Sequence, residues 1–306
     1  DRSSLRPSPA SRPTGLEVGR RTLVMGILNV TPDSFSDGGE FLDRPDVARD
    51  HAASMLEAGA AIIDVGGESS RPPMYGEAHQ VDATEEIQRV VPAIKAIRRV
   101  SDVPISVDTT KSQVARAARE AGADILNDIS ALDEWVTKDL DLLAGGEIPV
   151  ILMHRRGTLS TMQSNTHYED LQSEVTSFLL ERVARARDAG VVDIATDPGL
   201  GFGKSVDGNF LLLQNAGQFS VDGCPVLIGA SRKSFLWRPM GRSPQQALAA
   251  SVAAAVMGAF HGARILRVHD VAETLDALRV LEAMPASESS LNAPAGASSL
   301  NSSLVT

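Results

Sequence analysis

Ala121-Gly122-Ala123-Asp124-Ile125-Leu126-Asn127-Asp128 holds in miniature the unit from which the chain is built. A glycine stops a helix, a short apolar run follows, and polar residues stand where that run ends. Glycine suits the stop because it takes a positive φ without a Cβ clash. The same helix-to-strand junction recurs at Ala58-Gly59, Ala189-Gly190 and His261-Gly262. Working outward, eight apolar runs read as buried strands: Leu23–Leu28, Ala61–Val65, Ile105–Val107, Asp124–Leu126, Pro149–Met153, Val192–Thr196, Pro225–Ile228 and Arg264–Arg267. Each is followed by a longer segment with helical spacing, such as 46–58, 84–99 and 169–189. Continuous rather than alternating apolar strands are covered on both faces, as in a parallel sheet. The class is therefore α/β, either a closed (β/α)8 TIM barrel or an open doubly wound sheet.

The ends of the runs decide between these. Strand one ends at Asn29, the second runs into Glu68-Ser69-Ser70-Arg71, and the third ends at Asp108. The fourth ends at Asn127-Asp128, the fifth at His154, the sixth at Asp197, the seventh at Ser231-Arg232-Lys233 and the eighth at Arg267-Val268-His269-Asp270. Taken singly, an Asp or Asn after a strand is an ordinary helix cap. Asp108, Asn127 and Asp128 have that reading open to them, and Asp270 is expected to be a cap. Eight polar ends together favour a barrel, where they converge on one mouth. His51, His79, His167 and His261 read as ordinary surface or helix positions.

Composition bounds the function. The 306 residues carry 29 Lys+Arg against 39 Asp+Glu, a formal −10, with no basic block to suit nucleic acid or an anionic membrane. One cysteine excludes a disulfide framework and suits a cytoplasmic location. The apolar stretch 247–260 is shorter than the roughly 18 residues a membrane span needs. Residues 1–18 read as a flexible arm and 285–306 as a low-complexity tail, leaving a single domain at 19–284. Within an acidic chain the expected mouth gathers Arg71, Arg156, Arg232, Lys233, Arg267 and His269, which points to an anionic, phosphorylated substrate. No GxxxxGK[ST] or strand-one GxGxxG is present, and Gly199-Leu200-Gly201-Phe202-Gly203-Lys204 has the spacing of neither.

The stretch Met25-Gly26-Ile27-Leu28-Asn29-Val30-Thr31-Pro32-Asp33-Ser34-Phe35-Ser36-Asp37-Gly38-Gly39 resembles the first signature of the dihydropteroate synthases. Asp64-Val65-Gly66-Gly67-Glu68-Ser69-Ser70-Arg71-Pro72 resembles the second. The resemblance continues at Ser106–Thr109, Leu126–Asp128, Met153-His154, Asp197–Lys204, Ser231–Phe235 and Arg267–Val271. It implies a barrel enzyme that joins 6-hydroxymethyl-7,8-dihydropterin diphosphate to 4-aminobenzoate, with Mg²⁺. By resemblance Asp197 accepts the amidine-like edge of the pterin, and Asp108 and Asn127 meet its remaining nitrogens. Lys233 bonds the ring carbonyl and N5, Arg267 lies over the ring face, and Met153, Phe202 and Gly229 complete the slot. Asn29 is the implied metal ligand, and Arg71, Arg267 and His269 hold the diphosphate. Ser70, Pro72, Phe202, Lys233 and Ser234 are implied for the benzoate, where sulfonamides compete. Thr31, Pro32, Asp33 and Phe35 belong to a loop that closes over the site. Catalysis falls to Lys233, Arg267, His269 and Asn29, in a homodimer.

The chain departs from the family pattern in two places. Ser70 replaces a common Thr, Pro73 follows Pro72 where Gly is usual, and 74–81 runs longer. Trp237 replaces a usual Gly, and 238–244 is compressed. The first departure bears on the aminobenzoate side and the second on dimerisation. Three other readings are available: a pterin-dependent methyltransferase domain, a pterin-binding paralogue without activity, and a Schiff-base aldolase using Lys233. The first has no use for a diphosphate site, the second is expected to have lost a charged residue, and the third wants its lysine in an apolar niche.

Overall fold

The computed structural model describes Leu16 and residues 21–31, 45–68 and 81–284. The expected positions Pro32, Asp33, Phe35, Ser70, Arg71 and Pro72 lie outside the described residues, as does the tail from 285. Strands β1 (Leu23–Asn29), β2 (Ile62–Gly66), β3 (Ile105–Asp108), β4 (Ile125–Asp128), β5 (Val150–Met153), β6 (Ile194–Asp197), β7 (Leu227–Ile228) and β8 (Ile265–Val268) form one parallel sheet. Its order, β6-β5-β4-β3-β2-β1-β8-β7, brings β6 and β7 together, where a Thr196–Val226 bridge closes the barrel. The Thr196 N–H donates to the Pro225 carbonyl at 3.0 Å. Helices α1 (Pro45–Ala58), α2 (Ala83–Arg98), α3 (Ser112–Ala121), α4 (Leu171–Asp188), α5 (Val206–Gln214), α6 (Ser234–Trp237), α7 (Leu248–Phe260) and α8 (Val271–Glu282) lie in the crossovers.

The helix stops read from the sequence are present. Gly122 ends α3 at φ 113°, and Gly59, Gly190 and Gly262 are likewise left-handed. One crossover differs. Between β4 and β5 the segment is a 3₁₀ helix, Thr137–Leu142, in place of an α-helix. The Asp128 carboxylate accepts from the N–H groups of Ser130 and Leu132 and fixes a turn in which Ala131 and Leu132 have positive φ. Buried Trp135 and Leu143 cover the barrel there instead.

Two apolar layers follow from the pleat. Val24, Leu28, Ile63, Val65, Leu126, Leu152, Leu266 and Val268 point outward under the helices. Met25, Ile62, Ile125, Ile151, Ala195, Leu227 and Ile265 point inward and fill the base of the barrel. Leu16 is buried against this inner group, so this residue of the expected arm belongs to the barrel. Among the described residues no helix is long and apolar enough to cross a membrane.

Candidate active site

Side chains along a strand alternate between faces. Two residues beyond the inner apolar ring, the same inward direction therefore meets Asp64, Asn127, Met153, Asp197, Gly229 and Arg267. Asp108 follows Ser106 by the same step on β3, and Asn29 lies at the end of β1. The mouth of the barrel is thus a polar ring stacked on an apolar one.

Arg267 sits at its centre. Its Nε donates to Asp64 Oδ2 at 2.6 Å and its Nη2 to Asp108 Oδ2 at 2.8 Å. Asn127 Nδ2 lies 3.4 Å from both Asp64 oxygens. Burial pulls the guanidinium down, but the two carboxylates more than offset it and hold Arg267 above its ordinary value. Burial raises Asp108 to about 7, against the pull of Arg267 and with the push of Asp64, Glu86 and Asp128. Gly66 leaves room here. A Cβ would meet Asn29 Oδ1 at 3.3 Å and Asp108 Cβ at 3.6 Å, which places those two side chains on either side of it.

Asp197 and Lys233 form the other half of the slot. The Gly199 N–H donates to Asp197 Oδ1 at 2.7 Å. Burial raises the Asp197 carboxyl, opposed chiefly by the Lys233 charge. Burial lowers Lys233 to about 8, opposed by Asp197. The Lys233 ammonium donates to the Leu200 carbonyl and stands 4.4 Å above the Phe202 ring centroid. Gly201, at φ 83°, leaves the lysine stem its path, since a Cβ there would lie 3.0 Å from Lys233 Cδ. Phe202 and Met153 pack with Ile129 and Met162 into an apolar wall. Gly229 leaves its backbone open to the Arg267 stem, which an added Cβ would touch at 3.7 Å.

The glycine-rich segment after β6 is pinned by Lys204. Its buried Nζ lies 2.9 Å from His154 Nδ1 and donates to the carbonyls of Gly199 at 2.8 Å and Phe202 at 2.9 Å. Burial, and next the Lys204 charge, lower the His154 imidazole to about 2, so it faces the lysine as a neutral acceptor. His154, a strand-end histidine, therefore fastens a loop.

Several expectations change. Arg156 pairs with Glu174 at 2.8 Å and stacks over Tyr168, and Arg232 pairs with Asp270 at 2.6 Å. Neither charge serves the slot, whose Arg267 and Lys233 are matched by Asp64, Asp108 and Asp197. Among the described residues the charges of the slot are accordingly close to balanced rather than strongly cationic. Asp270 makes no side-chain cap on α8, because its carboxylate is taken by Arg232. Asn127 likewise caps no helix but turns to Asp64. His269 Nδ1 lies 2.9 Å from Ser231 Oγ at the rim, and Ser234 opens α6, half-buried. Thr31 is buried at the end of the described part of the first loop. Asp64, Ile129 and Met162 are site residues that strand ends alone do not reveal. The signal for Asp64 is a carboxylate inside an apolar strand, which burial tolerates only when paired.

Residues 25–269 match the family of pterin binding enzymes. The dihydropteroate synthase of Escherichia coli K12 is 46% identical over 262 residues, spanning 85% of this chain and 90% of that protein. The Yersinia pestis dihydropteroate synthase, solved with a sulfonamide drug complex, superposes with a TM-score of 0.79 at 44% identity, covering 86% of this chain and 94% of that one. The Xanthomonas albilineans enzyme in complex with 7,8-dihydropteroate gives 0.75 at 42% identity, over 87% and 95%. The chain belongs to the pterin-binding enzyme family, whose barrel and polar mouth it has. Within that family it stands among the dihydropteroate synthases.

Proposed function

We propose that the mouth joins 6-hydroxymethyl-7,8-dihydropterin diphosphate to 4-aminobenzoate, forming 7,8-dihydropteroate and diphosphate. The observation that carries this is the slot itself. Asp197, Asp108, Asn127, Lys233 and Arg267, drawn from five places across the chain, come together at the barrel mouth beside the Met153–Phe202 wall. Asp197 accepts the paired N–H groups of the pterin edge, with lone pairs to spare beyond its bond from Gly199. Asp108 and Asn127 meet the remaining nitrogens, and Lys233 moves from the Leu200 carbonyl to the ring carbonyl and N5. Arg267 lies over the ring face, and Gly229 gives it room.

The bond that breaks joins the pterin methylene to the diphosphate oxygen, which keeps the electron pair. The amine lone pair of 4-aminobenzoate then forms the new C–N bond, and the nitrogen passes one proton to water or to the departing diphosphate. Arg267 and His269, with Arg71, stabilise the charge that gathers on the diphosphate. No side chain has to act as nucleophile. Asn29 offers one hard amide oxygen facing Gly66 at the end of β1, and among the described residues no group of three or more His, Cys, Asp or Glu could hold a metal. That donor set fits Mg²⁺, which is held largely by substrate oxygens and water. When bound it supplies positive charge to the leaving group. The benzoate falls to Ser70, Pro72, Phe202, Lys233 and Ser234, and sulfonamides compete there. Loop residues Thr31, Pro32, Asp33 and Phe35 exclude water. Exposed Phe210 and Leu211 of α5 with Leu248, Met257 and Phe260 of α7 suit a second copy of the chain, making a cytoplasmic homodimer.

Incubation with the pterin diphosphate, 4-aminobenzoate and Mg²⁺ tests the reading. Stoichiometric diphosphate and dihydropteroate are expected, with slower diphosphate release when the amine is omitted. Tight pterin binding without release under any condition favours the inactive paralogue.

A further inference from the structure

Asp64 is fully buried on β2, and its bonds go to Arg267 and Asn127, both named above as pterin contacts. Through Arg267 it is also joined to Asp108. We propose that Asp64 is the positioning residue of the pterin slot, setting the orientation of Arg267 and Asn127 without touching substrate. The inference rests on the pterin-contact assignments of the preceding section and adds to them a residue that has no contact of its own.

A guanidinium is planar, and two anchors on different strands fix its plane. Asp64 on β2 holds Nε at 2.6 Å, and Asp108 on β3 holds Nη2 at 2.8 Å. Were Asp64 neutral, only Asp108 would remain, and Asp108 is itself needed for the pterin. Asn127 has two ends of opposite polarity. With Nδ2 turned to the Asp64 carboxylate at 3.4 Å, its Oδ1 is the end left to receive a ligand N–H. One carboxylate thus sets the plane of the cation and the polarity of the amide. Burying it is costly, and a buried ion pair is often no more stabilising than apolar packing. Its presence at an inward position of β2, two residues above Ile62 of the apolar ring, is accounted for by what it orients.

The test is a double-mutant cycle read by calorimetry with the pterin diphosphate and Mg²⁺. Asp64→Asn, which keeps the size, is expected to weaken binding by about tenfold to a hundredfold, the scale of misplaced contact groups. In an Arg267→Met background the same change should cost under about threefold, because the two act as a unit. The KM for 4-aminobenzoate should stay within about twofold, which a general loosening of the barrel would not allow. Additive losses, or unchanged pterin affinity in Asp64→Asn while Arg267→Met is weak, would overturn this role alone. Parent-like pterin affinity in Arg267→Met would overturn the slot assignment and this role with it. A measurement on the unaltered protein does not depend on any variant folding: the Arg267 Nε–H should exchange slowly with solvent, before and after pterin binds. Rapid exchange would overturn the proposal.

Discussion

The two inward rings of this barrel stand one pleat apart and are built on opposite terms. The lower, from Met25 and Ile62 round to Leu227 and Ile265, is wholly apolar and buried. The upper, from buried Asp64 and Asp197 to half-buried Asp108 and Arg267, is charged and cross-linked. The lower ring contributes stability through area removed from water. The upper ring gives up part of that contribution, since desolvating paired charges returns little net energy. What it gains is a fixed set of donors and acceptors, aligned before a ligand arrives. The difference teaches that one strand can serve both ends, with its first inward residue holding the barrel and its second recognising the pterin.

That division can be broken from either side. Ile265→Ala, in the lower ring, should cost about 2–5 kcal/mol of folding stability by leaving a cavity. Pterin affinity of the folded fraction should hardly move, which denaturant melts and calorimetry on one preparation would show. Asp197→Ala, two residues beyond Ala195 of the lower ring, should do the reverse. Losing charge-assisted bonds costs about 3 kcal/mol of binding, roughly a hundredfold, with the melting midpoint within a few degrees. A variant in either ring that damaged both properties equally would merge the two roles.

A pH series sharpens the account of the upper ring. Because burial brings Lys233 down to about 8, it is an ammonium below that pH and a neutral amine above it. Pterin affinity should therefore fall as pH rises through 8, by about tenfold between pH 7 and 9. Lys233→Arg, which does not titrate there, should flatten the fall, and a fall of the same size in that variant would remove Lys233 from the slot. The smallest effect is expected at Arg232, whose charge goes to Asp270. Arg232→Ala should change pterin affinity by under about twofold, whereas a loss comparable to that of Asp197→Ala would restore it to the site.

Much of this was legible in the sequence, for physical reasons that also mark where reading stopped. Eight apolar runs, too continuous for a half-exposed sheet, give a parallel sheet covered on both faces, their eight polar ends favour its closure into a barrel, and left-handed glycines such as Gly122 mark where its helices stop. The fourth crossover escaped because its turn is made by Asp128, a tertiary device with no helical period to betray it. In the site, strand ends located Asn127, Asp197 and Arg267 because polar residues there break an apolar run. Asp64 lies inside its run and was passed over, although stepping back two residues from Gly66 leads to it. Arg156 and Arg232 were misjudged because sequence places a Cα, while a long side chain goes where a carboxylate waits.

The central claim is that the upper ring is the pterin slot. A crystal structure of the chain with the pterin diphosphate and Mg²⁺ tests it most directly. The account predicts the amidine edge on Asp197, the ring between Met153 and Arg267, and the diphosphate at the rim by His269 and Asn29. A pterin seated anywhere else, or one whose edge faces away from Asp197, would contradict it.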